Sequence, residues 1–163
     1  MDNLYFDELE MEEKIEYAIL DFYKNDSRYE KNHWFNVFGK KQLKFYSSLT
    51  EINTQQEKPK FPCAVITIES EPDTQWCNST QVEQVSRVNF SVEFFTVDIN
   101  NTDKKILGNN LSNIILLGLR NLSSNITISK NAPLLNFDTN VYRRIIRGVF
   151  KYDNTTKTFY KGD

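Results

Sequence analysis

From its start the chain returns apolar side chains at helical spacing. Leu9, Ile15, Ala18, Ile19 and Phe22 fall along one stripe, and Glu8, Glu10, Glu12, Glu13 and Glu16 fill the opposite face. The pattern predicts an amphipathic helix over residues 7–23, within an N-terminal unit of residues 1–28. Carboxylates near the first turn oppose the positive end of the helix dipole, so a solvated acidic face is the plain reading. The sharper reading is a face lining a channel for passing DNA, where like charge keeps phosphates from sticking. Residues 29–60 then lose periodicity, and no element is assigned to them. Their aromatics, Trp34, Phe35, Phe38, Phe45 and Tyr46, are too many for an idle linker and are expected to cover the core or a partner surface. Residues 54–60 read as a loop around Pro59.

Period two sets in at Phe61. Cys63, Val65, Thr67 and Glu69 alternate with Ala64, Ile66 and Ile68, which predicts a strand over 61–69. The acidic, proline-bearing run ESEPDTQWCNSTQVE that follows reads as a long loop or arm. A half-buried antiparallel strand comes next over 85–97, with Val88, Phe90, Val92 and Phe94 on one side and Arg87, Asn89, Ser91 and Glu93 on the other. Residues 98–103 form a turn in which Thr102 or Asp103 caps a helix beginning at Lys104. Ile106, Leu107, Leu111, Ile114, Ile115, Leu117 and Leu122 make that helix broadly apolar on one side. Gly108 and Gly118 each cost about 1 kcal/mol against alanine there, so both point to close approach of another backbone.

After a short strand at 126–129, Asn136, Asp138 and Asn140 favour a turn, and β-branched residues resume at Val141. In the strand they open, Tyr142, Arg144, Ile146, Gly148, Phe150 and Tyr152 share one face, and Val141, Arg143, Ile145, Arg147, Val149 and Lys151 the other. Both faces carry apolar groups and arginine. That mixture predicts an interior strand whose second face is partly covered by a helix or another subunit. A turn at Asp153-Asn154 leads to a last strand over 157–161. The order helix, strand, strand, helix, strand, strand predicts one α+β domain over residues 1–163. Its sheet is mainly antiparallel, of about four strands, with the N-terminal helix and the long second helix packed on one face, and residues 61–163 hold the sheet and long helix.

Composition narrows the function. Charged residues at 26% and aromatics at 13% suit a folded domain rather than a disordered chain. A formal net charge of -2 supplies no general attraction for nucleic acid. The acidic N-terminus departs from the basic opening of a secretion signal, and no uninterrupted apolar run reaches the ~18 residues a membrane span needs. Cys63 and Cys77 sit in unrelated contexts, as free thiols would in a reducing compartment. With His33 as the single histidine, no zinc-ligand spacing is present; nucleophile elbows and phosphate-binding glycine loops are absent too. Glu69, Glu71 and Asp73 lie in a polar run where nothing would raise a pKa. No enzyme activity, metal or cofactor is expected.

Arg143, Arg144 and Arg147 form the one unusual charge cluster, and 143 and 147 share a face. They suit solvated or internally paired arginine, or forked contacts with carboxylates of a neighbouring subunit. Nucleic-acid binding is the third option, against which Phe90 and Phe94 face inward rather than offering a stacking platform.

These residues also carry a resemblance. Pro133, then Asn136-x-Asp138, then the Tyr142-Arg143 pair opening a strand, then a hairpin strand ending in Tyr160 resembles the C-terminal part of siphophage tail terminator (tail completion) proteins. Phe61-Pro62 before a strand, and Val92-Glu93-Phe94-Phe95-Thr96 ahead of a long helix, extend it upstream. The resemblance implies a virion structural protein, assembled in the host cytoplasm, that forms a homohexameric ring on the end of the tail tube. Its partners would be itself, the tube protein and a head completion or neck protein, with DNA only passing through the ring and no membrane contact. Contact surfaces would then include the run from Ser70 to Val82, with Glu71, Asp73 and Trp76, and the arginines Arg143, Arg144 and Arg147. A head completion or neck connector protein is the alternative of the same class; a small nucleic-acid or ligand binding domain is the alternative from another.

Overall fold

Helix α1 (Glu8–Asn25) buries Met11, Ile15, Ala18, Ile19 and Tyr23. Leu9, expected on that stripe, is 66% exposed, because two residues turn the helix by about 200° and carry it away from Met11. The computed structural model describes residues 8–48, 59–73, 85–136, 138–153 and 158–159, with backbone alone at 70–73, 85 and 86. The aromatic segment that showed no periodicity folds into a short helix α2 (His33–Val37) and a three-residue strand β1 (Lys44–Tyr46). Trp34, Phe38, Leu43 and Tyr46 go into the core.

Strands β2 (Cys63–Asp73) and β3 (Val85–Thr96) pair antiparallel along their whole length. Helix α3 (Lys104–Leu122) follows a turn in which Asn100 and Asn101 take the left-handed conformation that asparagine tolerates. Asp103 is the cap, accepting from the Lys105 backbone N–H at 2.8 Å, while Asp98 accepts from that of Lys104 at 2.8 Å. Then come β4 (Thr127–Leu134), β5 (Tyr142–Asp153) and β6 (Thr158–Phe159). The turn into β5 is built as its asparagines and aspartate suggest: Asp138 accepts from the Asn140 backbone N–H at 2.9 Å.

The expected sheet of about four mainly antiparallel strands is corrected to a mixed sheet of six. Its order is β1-β2-β3-β5-β4, with β6 beside the end of β5 and β1 parallel to β2. Two further corrections share one cause. Glu71 and Asp73 belong to β2 rather than to a loop, and Pro133 belongs to β4. Proline cannot donate to a ladder, yet β1 covers only Cys63 to Val65, so Pro72 sits where β2 is an edge, and β4 is an edge throughout. The rest of the 70–82 run, residues 54–58, Cys77 and Tyr160 lie outside the described residues.

Both long helices pack on one sheet face. Ile66, Ile68, Val88, Phe90, Val92, Phe94, Ile146 and Phe150 meet Ile15 and Ile19 of α1 and Leu107, Leu111, Ile114, Ile115 and Leu119 of α3 in one cluster. Each such side chain contributes roughly 1.5–3 kcal/mol when fully buried. At Gly118 the helices touch backbone to backbone: a Cβ there would stand 3.0 Å from the Ala18 carbonyl oxygen and 3.0 Å from Ile19 Cα. Gly108 differs from expectation, since it makes room for the ring of Tyr142 and not for a backbone.

A polar knot fixes the turn after α1. Asp26, nearly buried, accepts from Arg28 Nη2 at 2.7 Å, Arg28 Nε at 3.0 Å, the Arg28 backbone N–H at 3.1 Å and Trp34 Nε1 at 3.0 Å. These donors, the Arg28 side chain first, hold its carboxyl well below the usual carboxylate range despite burial. Tyr23 donates its hydroxyl to the Lys41 carbonyl at 2.6 Å, and burial pushes its phenol up.

Two outcomes are expected. Gly118→Val should cost about 1–3 kcal/mol by overpacking the helix crossing, measured by chemical denaturation. Gly118→Ala should cost less, because the ~1 kcal/mol helix preference of alanine offsets part of the strain. Asp26→Ala should cost about 1–3 kcal/mol at neutral pH by stripping charged hydrogen bonds from a buried site. Because the folded pKa lies below the ordinary 3.8, that stabilisation is complete above the ordinary value and fades as pH falls through the folded one. The gap between parent and variant should therefore shrink in acid; a gap that is constant with pH would contradict the assignment.

Candidate functional site

Register decides what the second sheet face carries. β2 and β3 pair Val65 with Glu93, Thr67 with Ser91 and Glu69 with Asn89; β3 and β5 pair Phe95 with Arg143, Glu93 with Ile145 and Ser91 with Arg147. Side chains alternate along each strand, so these residues all project away from the helices. At one end the face is apolar: Tyr46, Cys63, Val65 and Phe95 are buried together, with Phe61 and Val141 packed against them. Burial pushes the Cys63 thiol up to about 12, which leaves it a poor nucleophile at neutral pH.

Beyond Phe95 the face turns polar. Thr67, Glu69, Asn89, Ser91, Glu93 and Arg147 line an open depression of about 420 Å³. Arg143 donates through Nη2 at 2.6 Å and Nε at 3.1 Å to one oxygen of Glu93, Oε2, and its guanidinium lies 5.8 Å from the Phe95 ring centre. The two side chains are 25% and 16% exposed, so water screens this pair only in part. Arg147 is exposed and, among the described residues, has no hydrogen bond or ion pair; the same holds for Glu69. The depression therefore presents a free cation and a free anion over a floor of small hydroxyl and amide groups.

The structure thus separates the arginine cluster. Arg143 and Arg147 share the open face, as their spacing predicts, whereas Arg144 lies on the helix side. There it donates to Asn131 Oδ1 at 2.8 Å, to the Tyr142 hydroxyl at 3.1 Å and to Asn109 Oδ1 at 3.4 Å, and Asn131 in turn donates to Ser112 of α3 at 3.1 Å. Arg144 ties β5 to β4 and α3 through neutral partners. Glu71 and Asp73 are placed by backbone register opposite Arg87 and Val85. Trp76 lies outside the described residues. The sequence reading weighed Glu69 only for acid–base chemistry and did not name Glu93 as a site residue, although the alternation Arg87, Asn89, Ser91, Glu93 announces a polar face.

Other candidates resolve into local contacts. His33 stacks on Tyr29 with ring centres 4.0 Å apart and meets Trp34 edge-on. Glu12 and Glu16 on α1 are pushed up, first by burial and then by neighbouring carboxylates, Glu8 and Glu16 for the one and Glu13 for the other. Among the described residues no group of three His, Cys, Asp or Glu side chains could hold a metal ion, and no helix is long and apolar enough to cross a membrane.

Arg143 and Arg147 should behave differently when truncated. A double-mutant cycle on Glu93 and Arg143 should give a coupling of about 1–2 kcal/mol, between the values of exposed and buried pairs. Arg147→Ala should leave stability within about 0.5 kcal/mol of the parent, so any larger effect it has must be on partner contact. Denaturation of the four cycle members and of Arg147→Ala measures both. Compared with protein-family models the chain matches none, and no curated protein sequence matches it.

Proposed function

We propose that the chain is a structural virion protein of the tail terminator kind. Copies of it form a six-membered ring that caps the head-proximal end of a tail tube, stops its growth and offers a docking surface to the head completion or neck protein. The observation that carries the reading is the succession of features along one α+β sandwich. Phe61-Pro62 leads into β2, Val92 to Thr96 closes β3 ahead of the long helix α3, and the Asn136 and Asp138 turn opens β5 at Tyr142-Arg143. The resemblance drawn from the sequence rests on these features in this order.

The open sheet face supports the same reading. A free tube end is a surface of strands and loops that would accept another ring of tube subunits, and a terminator must match it on one side while denying it on the other. A polar sheet face with Arg147 and Glu69 unengaged among the described residues is suited to such a docking surface, because oppositely charged groups fix register and reject wrong partners. On this reading Arg147 makes contacts, Arg143 and Arg144 hold the strand that presents it, and the Glu71, Asp73 and Trp76 run adds to the interface. DNA only passes through the ring, and no reaction is performed.

Electron microscopy of the purified protein should show six-fold rings, and mixing with tail tubes should place density at one tube end and block elongation. Tubes assembled without it should overgrow. A protein that stays monomeric at high concentration and leaves tube ends bare and growing would overturn the proposal.

A further inference from the structure

Two surfaces away from the open sheet face complement each other in charge. The first surrounds the approach to β1 and β2. Pro59, Phe61 and Val97 line a cavity of about 520 Å³ together with Lys41, Lys44 and Lys60. All three lysines are exposed, and none forms an ion pair among the described residues. Lys44 lies 5.8 Å over the Tyr46 ring and feels Glu16 only as a field. Three like charges gathered round an apolar lining repel one another, and an anionic partner with an apolar centre would relieve that repulsion while covering the lining.

The second surface is the flank of α1 that faces the end of α3. Tyr17 is 75% exposed there, beside Glu10, Glu13 and Asp21 in a groove of about 600 Å³ bounded by Asn121 and Leu122. The one cation among the described residues of the groove, Lys14, is already engaged by Glu10 at 3.5 Å and by the Tyr152 hydroxyl at 3.2 Å. An exposed tyrosine ringed by carboxylates is the inverse of an apolar cavity ringed by lysines.

We infer that Tyr17 and its flanking carboxylates on one copy seat in the Lys41, Lys44 and Lys60 cavity of the next, joining copies head to tail. The inference rests on the ring reading above and names the contact that would close the ring. The Tyr17 ring meets Phe61, Pro59 and Val97, an ammonium group approaches its face, and Glu13 and Asp21 neutralise the lysines. Tyrosine at the centre of a patch rimmed by complementary charge is the usual composition of an interface hot spot. The two patches share no residue, so every copy can give one and receive one. Such a contact generates a closed ring when its rotation closes. It also leaves the polar sheet face free for other partners. Duplex DNA is the rival occupant of a lysine cluster, but phosphates have no use for the apolar lining that the lysines surround.

Sedimentation velocity on full-length protein tests the contact through a charge exchange. A cavity variant, Lys41→Glu with Lys60→Glu, and a helix variant, Glu13→Lys with Asp21→Lys, should each weaken self-association by roughly thirtyfold or more. Mixing the two should restore assemblies, because each then faces an oppositely charged neighbour on both sides. Tyr17→Ala should weaken association and Tyr17→Phe retain it, and all variants should melt near the parent temperature, since Lys41, Lys60, Glu13 and Tyr17 are exposed and half-buried Asp21 gives up only a surface hydrogen bond from Asn25. Variants that assemble like the parent would overturn this contact and leave the ring reading standing. A parent chain that never assembles and leaves tubes uncapped would remove both. Loss of binding to a duplex oligonucleotide in the cavity variant, with self-association unchanged, would assign the lysines to phosphate and overturn the contact as well.

Discussion

The pairing of β3 with β5 is the constraint on which the rest of the molecule depends. Val85 stands opposite Asp153 and Thr96 opposite Tyr142, and every position between is matched without a break. Slipping this pairing by one residue would turn Phe90 and Phe94, or Ile146 and Phe150, out of the helix-side core and bring arginine and glutamate into it. The hydrophobic cost of that error is many times the cost of any single lost hydrogen bond, so the register is held by the core and not by the ladder alone. Once it is held, Glu93 and Arg143 are neighbours, Arg147 stands over Ser91, and the open face has its composition.

Much of this was legible because burial on one side leaves a period in the sequence. The alternation in β2 and β3, the apolar stripe of α3 and the parity of Arg143 and Arg147 all follow from elements long enough to repeat. What escaped had no repeat to show. β1 has three residues and α2 has five, and both are fixed by contacts from elsewhere: β1 by β2, α2 by Asp26 reaching Trp34. Pro72 reads as part of a loop, and the short strand at 126–129 stops before Pro133, because a lone sequence does not say which strands are edges. Gly108 and Gly118 look alike in the chain, yet one admits an aromatic ring and the other a helix backbone.

The candidate site divides along the same line. Which arginines share a face is a local property and was readable. Which of them is engaged depends on residue 93 meeting residue 143, a contact fifty positions apart that only the register of two strands supplies. The lysine cavity is harder still, since Lys41, Lys44 and Lys60 come from two segments brought together by the parallel pairing of β1 with β2, and a net charge of -2 conceals the separation of acidic and basic surfaces.

That separation has a consequence for assembly. A chain whose acids and bases were evenly mixed over its surface would have no electrostatic preference for one orientation of a neighbour over another. Here carboxylates gather on the α1 flank with an exposed aromatic, three lysines around an apolar cavity, and Arg147, without a partner among the described residues, on the sheet face. Like patches repel, so pairing α1 flank on α1 flank or cavity on cavity is disfavoured, and a head-to-tail arrangement joins unlike charges. Screening reaches about 10 Å at 0.1 M salt, so this preference acts at contact rather than at a distance. On the ring reading, the geometry of closure then falls to the packed groups, Tyr17 against Phe61 and Val97, because charge sets which surfaces meet and only close packing fixes the angle between them.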